Sequence, residues 1–466
     1  MKRIILTTFI TFAAVAATFA ADYSKFYKDL PINIQQAEQP VIKEARINVA
    51  EYGAVGDGIT DCTKAIQTAI DNLAAKGGGQ VYIPEGSWLI APINLKSGID
   101  LHLSKGAMLV ITPDRTKHLV AGAAKPKHGV SALGCQNVSI TGQGIINGNG
   151  IYWRAAKRSK FSAAEWDQFK ALGGTTAMKG KEEIWYPFNL NGMPNFAATA
   201  TEQEALRQSA VFFKGCNKAL IQGVTVVDSP KFHLELEDCT NLIVDGVTIN
   251  GDWNAQNGDG IVLKTSQKVL IVNNTIDCGN DGISLKAATG KRAFDHQPMS
   301  DVIVSANVVL YAHGGFDIGS EFASGIHDVC VYNNTILNSE TGLRFKSFTS
   351  RGGKTDNIYI WNTILDRVRD EAIGFKTDYI NEAIYKTEGA VGTEWVPEFQ
   401  GIHISNLLCN NARIGITAKG APGTIHNIDI NNSTITYREA NTDIDPDCDI
   451  KFKEVTLTKL GTLIKK

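Results

Sequence analysis

Four stretches decide how this chain is read: Asn257-Gly258-Asp259-Gly260, Gly279-Asn280-Asp281-Gly282, His313-Gly314-Gly315 running into Gly319-Ser320-Glu321, and Gly342-Leu343-Arg344-Phe345-Lys346. Their polar centres are 22 (Asp259 to Asp281), 32 (Asp281 to His313) and 31 (His313 to Arg344) residues apart. Two acids, an imidazole and a cationic pair thus recur about once per structural repeat. A single Asp-Gly is usually only a turn, and a lone His beside glycines is usually structural. Shared register across consecutive repeats is what would make the set a site.

Working outward, similar units recur on both sides. They include Asn137-Val-Ser-Ile-Thr-Gly-Gln-Gly-Ile, Leu242-Ile-Val-Asp-Gly-Val-Thr-Ile, Val269-Leu-Ile-Val-Asn-Asn-Thr-Ile, Val329-Cys-Val-Tyr-Asn-Asn-Thr-Ile and Ile428-Asp-Ile-Asn-Asn-Ser-Thr-Ile. Registered on the apolar residue before the turn, they fall at 140, 221, 244, 271, 304, 331, 360, 404 and 430. Most steps lie in the range of a solenoid. Each unit reads strand, polar corner, strand. The corner residues tolerate left-handed backbone, and stacked Asn side chains can form ladders. One unit cannot bury its own apolar face, so stacking must supply the core. With almost no helix between strands, the pattern predicts an all-β, single-chain, right-handed parallel β-helix. The long steps mark insertions at about 150–208 and 379–397, where loops of a solenoid often rim a binding face.

Before the repeats, Asp61 can cap a helix over about Cys62 to Lys76, with Ala65, Ile66, Ala69, Ile70 and Leu73 at helical spacing and Gly77-Gly78-Gly79 at its end. These glycines follow the helix, where a dinucleotide loop would precede it, so the block reads as a short N-terminal capping helix. Residues 21–46 read as an arm over the fold's end, and 47–466 as one β-helical catalytic domain. At the start, Lys2-Arg3, an apolar run from Ile4 to Val15 and small residues before Ala21 predict a signal peptide over 1–20 and a secreted or periplasmic protein. A retained anchor is the alternative; no later stretch is long enough to span a membrane.

The composition is ordinary for a globular chain: 466 residues, 43% hydrophobic and 20% charged. Removing the leader's two cations shifts the formal net charge from −2 to −4. That argues against nucleic-acid binding and leaves room for an acidic substrate in a local basic cleft. The eight cysteines contain no CxxC pair, so no zinc or redox motif is expected, and most read as buried free thiols. Cys216 and Cys239 sit at the same place in successive repeats.

Coils add about 4.8 Å each, so Asp259, Asp281, His313 and the Arg344/Lys346 pair are expected on one face. Such a set suits a glycosidase acting on an acidic sugar. One carboxyl protonates the leaving oxygen while the other activates water or stabilises the oxocarbenium ion. Like charges held close keep one of them protonated. Arg344 and Lys346 would take a uronate carboxylate.

At these residues the chain resembles the polygalacturonase family, glycoside hydrolase family 28, whose coils carry Asn-Thr-Asp, Gly-Asp-Asp, Gly-His-Gly and Arg-Ile-Lys in that order. Asp228-Ser229-Pro230-Lys231-Phe232-His233 and Tyr52 to Asp61 resemble flanking segments of the family, and the match covers about 47–440. The resemblance implies a pectin-lyase-like β-helix and a metal-free, cofactor-free inverting hydrolase of α-linked galacturonate in pectin. By carry-over, Asp259 and Asp281 serve the hydrolytic water and His313 holds the neighbouring acid in its working state. Asn257, Asn280, Glu321, Arg344, Lys346 and Tyr379 are candidate substrate contacts. Exo action on a plant-cell-wall polysaccharide or oligosaccharide, by a monomer, is the reading preferred here.

Two departures matter. Asn280 stands where the family has the aspartate regarded as proton donor, and Val262 replaces an Asp common three residues after the first catalytic Asp. Three outcomes are open: Asp281 acts as acid with Asp259 as base, the acid comes from Glu321 or Asp317, or the protein binds glycan without efficient cleavage. A pectate or rhamnogalacturonan lyase is the other enzyme class this fold would host.

Overall fold

The computed structural model describes residues 21–119, 125–190, 198–378 and 395–461; the expected leader, Tyr379 and most of the 379–397 insertion lie outside the described residues. One sheet system of 33 strands winds through the chain, and the pairings between its coils are parallel. Each coil contributes up to three short strands, which pair with their counterparts one coil away. This is a parallel β-helix.

The nine register positions read from the sequence form one line. Ile140 pairs with Ile221, then Val244, Ile271, Val304, Val331, Ile360, Ile404 and Ile430 follow in turn. The long insertions leave that line unbroken because they leave and re-enter at corners. On the neighbouring face, Leu236, Leu263, Leu285, Ile318, Phe345, Phe375 and Ala418 stack inward, each fully buried. Phe345 and Phe375 stack with ring centres 4.5 Å apart.

The Asn-Asn corners divide their labour. The first residue takes the left-handed backbone (Asn273 φ 59°, Asn333 φ 56°). The second turns inward: Asn274 Nδ2 donates to Asn307 Oδ1 (2.9 Å), and Asn307 Nδ2 to Asn334 Oδ1 (3.0 Å). The cysteines are all free. Cys216 lies between Cys135 and Cys239 on successive coils, its thiol in contact with both.

At the N-terminal end, the helix Thr63–Ala75 buries Ile66, Ala69, Ile70 and Leu73 over the first coils. Its N-cap residue is Cys62 rather than Asp61, although the Asp61 carboxylate accepts the Thr63 N–H at 3.1 Å. The arm does not lie over the end as expected. It runs along the side, where Tyr23, Phe26, Ile34 and Ala37 cover Ile243, Leu270, Ile303, Cys330 and Tyr332. Those residues point outward from their strands, and the arm packs over them. Among the described residues no helix is long and apolar enough to cross a membrane.

Candidate active site

The polar centres sit where the chain enters one face of the solenoid, built by Leu234–Glu237, Ile261–Lys264, Ile283–Ala287, Gly314–Phe322, Thr341–Lys346 and Glu371–Lys376. Ile261 pairs with Ile283, so Asp259 and Asp281 each lie two residues before the same rung. The Gly260 N–H donates to the Asp281 carbonyl (2.9 Å), and the His313 N–H to that of Asn280 (2.8 Å). These bonds pin the three turns to one another. His233 supports the first turn from the coil before. Its backbone N–H and its Nδ1 both reach the Asp259 carbonyl, each at 2.9 Å. Burial pushes the His233 imidazole down to about 4, so the ring is neutral and its Nδ1–H donates.

Asp259 and Asp281 are 2% and 1% exposed and differ in proton state. Burial, followed by the charge of Asp281, pushes the Asp259 carboxyl up to about 7, against the opposing pull of Lys286 and the Asn280 amide. Asn280 Nδ2 donates to Asp259 Oδ1 at 2.6 Å. Burial also penalises the Asp281 charge, but Lys346, Arg344, Lys286 and His313 outweigh it and hold that carboxyl well below the usual range. Lys346 Nζ is 2.5 Å from Asp281 Oδ2, and Arg344 Nη1 is 3.4 Å from Oδ1.

Arg344 and Lys346 are therefore placed differently from the expectation. They do not continue the line of turns. They lie on the strand itself, paired with Asp317 and Gly319, and reach back to Asp281. Lys346 is almost wholly buried, so its first partners are these acids and not an open cleft. Asp317 lies beneath them, 0% exposed, 3.3 Å from Lys346 and 3.8 Å from Arg344. His313 engages Glu340 through Nδ1, and Glu340 is also 2.6 Å from Arg369. Burial penalises the Glu340 charge, but His313, Arg369 and Lys160 override it and bring the carboxyl down to about 2. Glu321 is committed to Lys286 and Arg351, each at 2.9 Å. Asn257 is exposed, with φ 50°, a turn-forming conformation ahead of Asp259. Tyr379 lies outside the described residues.

Of the 150–208 insertion, the described residues 150–190 and 198–208 fold as a small unit on the rim. A three-stranded antiparallel sheet and the helix Ala163–Ala171 close around Ala156, Trp166, Trp185 and Leu190. Arg154 anchors this unit to Asp228 (2.6 Å) and to Asp252. Phe161 meets Trp253, with ring centres 5.4 Å apart, and Lys160 comes within electrostatic reach of Glu340. Glu340, Lys286 and Lys160 belong to the site, yet no motif pointed to them. The first two were recoverable from coil register; Lys160 was not, because an insertion has no register.

With this geometry in view, a profile of the glycosyl hydrolases family 28 matches residues 163–412, and one of the rhamnogalacturonase A/epimerase, pectate lyase-like group matches 46–117. The chain belongs to glycosyl hydrolases family 28. It is a glycoside hydrolase. An exo-poly-alpha-D-galacturonosidase of Dickeya chrysanthemi is 27% identical over 435 residues, covering 89% of this chain and 71% of the relative. Among solved structures, an exopolygalacturonase of Thermotoga maritima superposes with a TM-score of 0.73 at 25% identity, covering 91% of this chain and 94% of the other. A family 28 exopolygalacturonase of Yersinia enterocolitica gives 0.70 at 24% identity, covering 90% and 76%.

Proposed function

We propose that this chain hydrolyses α-linked galacturonate in pectin-derived chains, from one end, with Asp259 as proton donor and Asp281 as the base that activates water. The observation that carries the assignment is the split between two adjacent buried carboxyls, one kept neutral and one kept ionised. Such a split separates acid from base. It reverses the alternative in which Asp281 is the acid. With Asn280 occupying Oδ1, Oδ2 of Asp259 is left to carry the proton. Inversion needs a water between base and sugar and no covalent intermediate. Exo action is supported by the 150–208 unit on the rim and by the exo activity of the Dickeya and Thermotoga relatives. Secretion rests on the leader-like residues 1–20.

The test is product analysis on defined oligogalacturonates. Release of one short product from one end, with new reducing ends and initially inverted anomeric configuration, is the expected result. Scattered products would refute exo action. Ultraviolet-absorbing unsaturated ends would make the protein a lyase, and binding without turnover would mean that Asn280 has cost it catalysis.

A further inference from the structure

Val262, Ser284, Asp317, Arg344 and Gly374 form one outward-facing row, each paired with the next across successive coils. Among these five positions Asp317 supplies the one acid. Its carboxyl is buried and lacks a hydrogen-bond partner on either oxygen. The neighbouring Ser284 hydroxyl is also buried without one. Space for the carboxyl is made by Gly314, where a Cβ would come within 2.1 Å of Asp317 Oδ2. The charged groups around it are Arg344 and Lys346 from the next coil, Asp281 from the coil before and His313 from its own. The Lys286–Glu321 pair lies on the adjoining row.

We propose that Asp317 is a specificity-determining residue: it sets the charge that Arg344 and Lys346 present to a uronate carboxylate. The proposal rests on the galacturonate reading above. While Asp317 is neutral, those cations answer to Asp281 and retain attraction for a substrate carboxylate. Once it ionises, a second anion beside the same two cations competes with the substrate. Burial, then the charge of Asp281, raise the Asp317 carboxyl above the usual range, against Lys346, Arg344 and His313. The neutral form, and with it uronate affinity, is therefore present on the acid side and lost as pH rises. This device requires an acidic sugar; a neutral or esterified one would not sense it.

Calorimetric binding of galacturonate, which has no bond to cleave, and of its methyl ester, from about pH 5 upward so that the sugar stays ionised, tests the proposal on the unmodified protein and on Asp317→Asn. The amide mimics the neutral acid. For galacturonate, Kd of the unmodified protein should rise about tenfold more than that of Asp317→Asn towards alkaline pH, equivalent to about 1.4 kcal/mol. The gap between the two proteins should narrow towards the acid side. Asp259 titrates in both, so the difference belongs to residue 317. The ester should show no such difference. Kd curves that overlay at every pH would overturn the proposal, as would an equal alkaline rise for acid and ester in the unmodified protein, a measurement that needs no variant. Failure of turnover with this binding pattern intact would remove the hydrolase reading and leave the charge-setting role standing.

Discussion

Asp259 carries the chemistry because of where it is buried. Its donor role exists only while the proton is present. Since the carboxyl is raised to about 7, kcat should be sustained below that pH and fall as pH rises through it, whereas Asp281 stays ionised throughout. A pH–rate profile checks this; an alkaline limb unchanged in a variant lacking residue 259's carboxyl would sink the assignment. Asp259→Asn should lower kcat by about 10²–10⁴-fold, the usual worth of a positioned general acid. The same substitution should raise Tm above neutral pH. An acid with a raised folded-state pKa costs stability as pH climbs from its unfolded value to its folded one, and the amide removes that cost. Thermal melts at acid and alkaline pH would show the gain on the alkaline side alone. Asn280, Asp281 and His313 were all legible from motif and spacing. The proton state of Asp281 was not, because it depends on cations delivered from a strand 63 to 65 residues away.

Elements in this fold are specified by corners more than by strands. The inward Asn274, Asn307 and Asn334 satisfy backbone carbonyls of the coil before: Asn307 Nδ2 also donates to the Ile271 carbonyl at 3.0 Å. Asn307→Ala should therefore destabilise by about 1–3 kcal/mol, the cost of leaving buried polar groups unmade. A shift of the urea midpoint at constant slope would measure it; no shift would mean that the ladder is ornamental. The corners were readable because Asn-Asn and Asp-Gly have few other uses between apolar runs. The helix Ala163–Ala171 lies inside an insertion and starts at a Ser162/Glu165 capping box, a local signal that needs no repeat. The strand carrying Arg344 and Lys346 was read in the wrong relation to the turns. Equal sequence spacing places residues on equivalent coils but does not fix their height on a rung, and His313 is one residue further from its strand rung than Asp259 and Asp281 are from theirs.

For the whole molecule, the arm decides whether the solenoid has a wet or a dry side. Tyr23, Phe26 and Ile34 cover an outward apolar row that would otherwise face solvent. Each large apolar side chain so buried is worth about 1.5–3 kcal/mol. A chain beginning at residue 39 should melt lower and bind a hydrophobic dye along that row. An unchanged Tm would show that the arm is dispensable. The sequence pointed to an arm but misplaced it, because outward apolar residues such as Leu270 and Ile303 look the same as inward ones until the pleat is known.

What the sequence determined by itself is the solenoid, its register and the residue types of the site. A β-helix repeats its local rules once per coil, so local patterns carry global information. Only the tertiary structure decided which carboxyl keeps a proton, which acids the cations serve, and where the arm and the 150–208 unit dock. Those outcomes depend on burial and on charges brought together across coils, and neither quantity is written in any single repeat.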